Sequence, residues 1–146
     1  MDKISKQHRS WNMSRIRGEN TFPEKRVRSI LHRLGFRFRL HHRGLPGKPD
    51  IVLARLGTVI FVHGCFWHRH FHCRHAYTPK TRTAFWQKKF AENVERDHRV
   101  SRKLRRQGLR VLVVWECQST NAEGLSLRLA RLLRAAEGNG PTSRRQ

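Results

Sequence analysis

The feature that most constrains the fold of this chain is a set of soft metal-ligand side chains split between two distant places. Cys65, His70 and Cys73 lie close together, and Cys117 stands far along the chain. Thiolate and imidazole are the ligands zinc prefers, and Cys3His is a common closed, tetrahedral structural site. Each segment follows an apolar run that reads as a strand, Val59 to Val62 for the first and Leu109 to Trp115 for the second. A shared zinc site therefore requires the ends of these two strands to meet, and it would pin a loop that has no core of its own. An odd number of cysteines, with no signal-like apolar opening, argues against a disulfide framework. Two alternatives stay open at this point. Free cysteines are often simply small buried apolar residues, and His72 and His75 compete with His70 for the imidazole position.

Around this frame the hydrophobic pattern predicts an α/β order. Residues 1–20 read as a basic N-terminal arm in which Trp11, Met13 and Ile16 are isolated apolar side chains. Thr21 and Glu24 form a capping-box pattern with Pro23 in the first turn. Val27, Ile30, Leu31 and Leu34 follow at helical spacing, and Gly35 closes the helix. Phe36, Phe38 and Leu40 alternate with Arg37 and Arg39, which predicts a half-buried strand. The turn Leu45-Pro46-Gly47-Lys48-Pro49 delivers Asp50 to the head of a second strand, Ile51 to Ala54, and a third runs from Val59 to Val62 after Gly57. A long helix is predicted from Thr83 to Gln107, with Trp86, Phe90 and Val94 on one face and Gly108 as its stop. Leu109 to Trp115 is a strand, Leu125 to Leu133 a terminal helix, and residues 138–146 a disordered tail. This order fits one folded unit over residues 21–137, a central mixed β-sheet flanked by helices.

Charge narrows the partner. Lys and Arg number 32 against ten Asp and Glu, a net charge of +22. A surface so positive calls for a polyanion, and nucleic acid is the commonest one. No apolar run reaches membrane-spanning length, and the charge is spread through the chain instead of lying on one amphipathic helix. With 37% hydrophobic residues the chain is a folded protein and not a basic tail.

Cleaving a phosphodiester calls for carboxylate to hold a hard divalent cation, and this chain has little of it. The aspartates are Asp2, Asp50 and Asp97. Asp50 stands at a turn–strand junction, where a charge is costly unless a cation or partner compensates it; the plain alternative is an exposed turn aspartate. If the second and third strands form a hairpin, Asp50 faces Val62 and His63, with His68 close enough to serve beside His63 as general base or acid. Glu24, besides its capping role, can join as an outer acidic group. Phe66 and Trp67 lie in the basic loop, and Trp86 opens the long helix; aromatics so placed stack on bases or wedge between base steps, although Trp86 shares a helical face with Phe90 and can equally be core.

Five blocks carry a resemblance: Val59-Ile-Phe-Val-His-Gly-Cys-Phe-Trp-His68, Leu45-Pro-Gly-Lys-Pro-Asp50, Thr81-Arg-Thr-Ala-Phe-Trp86, Asn93-Val-Glu-Arg-Asp97 and Val111-Leu-Val-Val-Trp-Glu-Cys117. In order and content they resemble the very-short-patch-repair (Vsr) endonucleases. The resemblance implies a restriction-endonuclease-like core and a magnesium-dependent DNA nickase. Such an enzyme cuts 5′ of the thymine in a T·G mismatch left by deamination of 5-methylcytosine. It implies Asp50 as the magnesium carboxylate aided by the main-chain carbonyl of Val62, and His68 as general base supported by His63 and Glu24. It further implies Cys65, His70, Cys73 and Cys117 as zinc ligands. Phe66, Trp67 and Trp86 would form an aromatic wedge, and Met13 and Ile16 an arm inserting from the other groove. The implied setting is a monomer on double-stranded DNA in the cytoplasm of a prokaryotic cell, near the nucleoid, with a mismatch-repair protein as a possible partner.

Two departures accompany the resemblance. Position 62 is Val where some members have Thr, which leaves only a backbone ligand there, and the Cys65–Cys73 spacing differs by a residue from some members. No acidic-x-Lys pair follows Asp50, so His68 takes the role of that lysine. The competing reading from another class is a zinc-stabilised nucleic-acid-binding protein without catalysis.

Overall fold

The structure, a computed structural model, describes residues 20–138. Helix α1 spans Phe22–Arg33, with Val27, Ile30 and Leu31 buried at helical spacing. Thr21 caps it, its hydroxyl accepting from the Glu24 amide at 3.4 Å. The return half of the capping box is displaced: the Glu24 carboxylate accepts from the Asn20 amide at 3.0 Å, which leaves that carboxylate facing inward. Gly35, at φ +87°, turns the chain out of the helix, and the Phe36 amide closes on the Leu31 carbonyl at 3.0 Å.

The strand expected over Phe36 to Leu40 is reduced to β1, Arg39–Leu40. Its partner β2, Ile51–Leu53, is itself short and runs into a 3-10 turn over Ala54–Leu56. Phe36 and Phe38 pack against the core without joining the ladder. Leu40, expected half-buried, is 41% exposed because β1 is the outer strand. Strand β3 covers Thr58–His63, helix α2 Thr83–Arg106, strand β4 Arg110–Trp115 and helix α3 Ala122–Gly138. The last helix exceeds its expected span at both ends. Asn121 Oδ1 accepts from the Gly124 amide at 3.1 Å and starts it early, while the buried stripe Leu125, Leu129, Leu133 continues to Ala136.

The strands form one mixed sheet in the order β1-β2-β3-β4. β1 and β3 each pair antiparallel with β2. β4 lies parallel to β3, in a register that ends with His63 opposite Trp115. Cys65 and Cys117 follow these two residues at the same distance, so the parallel register delivers both thiols to one corner. Alternate residues then sort to two faces. Ile51, Leu53, Ile60 and Val114 pack with Val27, Ile30 and Leu31 of α1 and Leu125, Leu129 and Leu133 of α3. Val52, Val59 and Phe61 pack against Val100 and Leu104 of α2. Each fully buried Leu or Ile here contributes about 1.5–3 kcal/mol of transfer free energy. The turn before Asp50 is pressed on to α2: Gly47 sits at φ +70°, and a Cβ there would lie 2.3 Å from Val100 Cγ1. No helix among the described residues is long and apolar enough to cross a membrane.

Candidate active site

The β2–β3 hairpin brings together what the sequence separates by a dozen positions. Asp50 Oδ2 accepts a hydrogen bond from the Val62 amide at 2.7 Å. Both residues line a cleft of about 670 Å³, walled also by Glu24, His41, His63, His68 and Asp97. Burial lifts the Asp50 carboxyl to about 6 and Glu24 adds to the rise, while the Val62 amide, His41 and His68 oppose it. A carboxyl in that state accepts a cation readily, because a cation offsets the burial that disfavours its charge.

Across the cleft the loop after β3 turns His68 back over His63. Their rings stack at 3.9 Å with 5° between planes. His68 Nδ1 lies 2.6 Å from Asp97 Oδ2, on the inner face of α2. His63 is 9% exposed, and burial, reinforced by neighbouring His68, pushes its imidazole down to about 4. Asn93 Nδ2 donates to the Trp67 carbonyl at 3.2 Å and ties the loop to the same helix.

Glu24 is 2% exposed. Its Oε2 takes Arg28 Nη2 at 3.1 Å and lies 3.1 Å from His41 Nε2. Ligand atoms of Glu24, His41 and Asp50 fall within 4.8 Å of one another. On sequence grounds no role is assigned to His41 or to Asp97. Asp97 had a signal: it lies on the inward stripe Trp86, Phe90, Asn93, Val100, Leu104, where a carboxylate needs a partner. His41 had none, since it sits in a basic turn, at φ 46°.

At the other side of this loop stand Cys65, His70, Cys73 and Cys117, with ligand atoms all within 4.8 Å. His70 Nδ1 is 3.6 Å from Cys65 Sγ and 3.4 Å from Cys117 Sγ. Zinc–sulfur and zinc–nitrogen bonds of about 2.3 and 2.0–2.1 Å at tetrahedral angles give an S···N edge of about 3.6 Å, so the donor set fits that ion. His70 joins the cluster and stacks on Trp115 at 4.2 Å. His72 is exposed, at φ 56°, and packs on Phe71 instead. Burial pushes the Cys65 thiol up to about 12, which makes a thiolate there costly without a compensating cation.

Phe66 and Trp67 line the cleft. Trp86, 5% exposed, lies beneath them, 5.5 Å from Phe66 and 5.8 Å from Trp67 between ring centres. Met13 and Ile16 lie outside the described residues.

A buried carboxyl facing an imidazole bound to a second carboxylate, in a basic α/β domain beside a cysteine–histidine cluster, is the kind of group set that hydrolytic nuclease chemistry uses. Residues 1–75 match the family described as DNA mismatch endonuclease Vsr. The chain is 46% identical over 132 residues to the type II nicking enzyme V.XorIIP of Xanthomonas oryzae pv. oryzae, covering 90% of this chain and 96% of the relative. It is 46% identical over 125 residues to the DNA mismatch endonuclease Vsr of Escherichia coli, covering 86% and 80%. To the type II nicking enzyme V.NmeAIP of Neisseria meningitidis it is 42% identical over 133 residues, covering 91% and 94%. The chain belongs to the Vsr family of DNA mismatch endonucleases.

Proposed function

We propose that this endonuclease nicks one strand of duplex DNA immediately 5′ of the thymine in a T·G mismatch, the lesion left by deamination of 5-methylcytosine. The observation that carries the reading is a single cleft in which Asp50, bound to the Val62 amide, faces His68, bound to Asp97. The arrangement supports a restriction-endonuclease-like core in which His68 replaces the missing lysine.

Asp50 and the Val62 carbonyl would hold magnesium. In extended backbone the N–H and C=O of one residue lie along the same strand edge, and the Val62 N–H already points at Asp50. Magnesium bound there would polarise the scissile phosphate and offset its charge. The chain's own groups handle the proton. Asp97 at Nδ1 selects the tautomer of His68 that leaves Nε2 as the base for water. His63, kept neutral by burial and by its stacked neighbour, presents no second positive charge against His68 when the proton arrives. Glu24, held by Arg28 and His41, serves as the outer acidic group.

Cys65, His70, Cys73 and Cys117 would hold a structural zinc, which would lock the loop that carries His68. Phe66 and Trp67, supported from below by Trp86, would wedge into the base stack at the mismatch, with Met13 and Ile16 entering from the other groove. The enzyme would act as a monomer on chromosomal DNA in the cytoplasm, alongside a mismatch-repair protein.

The test is magnesium-dependent nicking of an end-labelled duplex holding one T·G mismatch in several sequence contexts, beside a matched duplex and the Asp50→Ala protein. A single nick 5′ of the thymine, absent from both controls, is expected. Tight binding without a cut in every context, with magnesium or manganese, would overturn the reading in favour of a non-catalytic binding module.

A further inference from the structure

Behind the imidazole wall of the cleft lies a second concavity of about 480 Å³. Among the described residues it shares only His63, His68 and Asp97 with the first, so those groups form a partition with a space on each side. One flank of the new groove is a stripe on α2. His98, Arg102 and Arg105 follow one another at i, i+4 and i+7 and are exposed, which places their side chains in a row along the helix.

The opposite flank is the tip of the cysteine–histidine loop. Phe71 stands there 81% exposed, between the clustered residues His70 and Cys73. Its backbone is held by neighbours in left-handed conformations, Arg69 and His72, both at φ 56°, a geometry that non-glycine residues adopt only when the surroundings impose it. Arg69 itself is committed inward, donating to the carbonyls of Phe66, Ala76 and Tyr77 at 3.3, 2.8 and 2.9 Å. Among the described residues the single carboxylate on the groove's lining is Asp97, and it is bound to His68.

Two guanidinium groups across the groove from a presented aromatic ring are the equipment for unpaired nucleic acid: cations track the phosphates and the ring takes an unstacked base. In duplex DNA each base face is covered by its neighbours, so a ring that is not wedged between base steps takes a base that has left the helix. We propose that this groove binds a short run of unpaired DNA, with backbone phosphates on Arg102 and Arg105 and a base stacked on Phe71. Because the partition is shared with the cleft, the groove adjoins the point of cleavage, and the strand end freed beside the nick is its occupant. The inference rests on DNA being the substrate and adds a product-strand site to it.

The experiment is fluorescence anisotropy with a labelled short oligothymidylate and, separately, a labelled matched duplex, without added magnesium and over a range of salt. Phe71→Ala should weaken oligothymidylate binding by about five-fold or more and leave matched-duplex binding unchanged. The double variant Arg102→Ala/Arg105→Ala should lower the slope of log affinity against log salt for the oligonucleotide by about 1.4, two single-strand phosphate contacts. Both variants alter exposed side chains, and circular dichroism checks their fold. Unchanged oligothymidylate binding by Phe71→Ala, an equal loss on duplex and oligonucleotide, or an unchanged salt slope overturns the proposal. So does a wild-type protein that ignores the oligonucleotide while nicking a T·G duplex, an outcome that leaves the proposed reaction standing.

Discussion

His68 Nδ1 and Asp97 Oδ2 are 2.6 Å apart, joining the loop after β3 to the middle of α2. The contact orients an imidazole whose other nitrogen is then available to water. Asp97→Asn should therefore retain DNA affinity but lower the single-turnover nicking rate by about 100-fold, the lower range for a misoriented general base. Rate and dissociation constant measured on the same mismatched duplex check this. A parallel loss of affinity would instead assign Asp97 to binding.

Asp50 and His63 make opposite contributions to stability across mildly acid pH. Burial raises the Asp50 carboxyl from 3.8 to about 6, so the folded state binds the extra proton in that window, and stability from this group is lost as pH rises through it. Burial lowers the His63 imidazole from 6.5 to about 4, so the unfolded state binds the extra proton and stability rises with pH over an overlapping window. The two slopes largely offset each other between about pH 4 and 6. Asp50→Asn should remove one of them: urea melts of the metal-free-cleft protein should show stability rising with pH over this range, and a gain at pH 7 of up to about 3 kcal/mol. A variant whose profile matches wild type would show that Asp50 titrates as an ordinary surface carboxyl.

Nicking should fall as pH drops through about 6, as protonation of Asp50 removes the charge that would hold magnesium. Raising magnesium should move the midpoint to lower pH, because metal and proton compete for one carboxylate. An acid limb insensitive to magnesium would place the controlling ionisation elsewhere.

Cys117→Ser should reduce bound zinc to background in elemental analysis and lower the melting temperature. It removes one corner of a cluster whose other members come from the separate segment Cys65 to Cys73. Loss of stability without any metal in the wild-type protein would show the cysteines to be packing residues.

Gly47→Ala should destabilise the fold by about 1–3 kcal/mol. It forces a Cβ to within 2.3 Å of Val100 Cγ1 at φ +70°. Val100→Ala in the same chain should restore part of the loss, the steric part, and leave the backbone part. Thermal melts of the two single variants and the double variant close the cycle, and strict additivity would refute the contact.

Much of this architecture is legible in the sequence. Caps, stops and apolar periodicity are local properties. Thr21, Gly35, Gly108 and the stripe through Trp86, Phe90 and Val94 therefore report helices that the structure contains, within a residue or a few of their expected ends. Alternation in Phe36 to Leu40 predicts a longer strand than β1 because it reports which side chains face inward, not whether a neighbouring strand is long enough to pair with them.

The sequence by itself determined the order of helices and strands, a polyanionic partner through the net charge of +22, and the soft-ligand set through residue type. Tertiary structure decided which of the histidines left open by residue type joins the cysteines, that His68 meets Asp97, and that His41 reaches Glu24. Each of these contacts joins separate elements, and their geometry depends on sheet register and helix packing. The parallel register of β3 with β4 aligns the cysteines of distant segments, and a shift of one residue along it would pull them apart while leaving every local pattern unchanged.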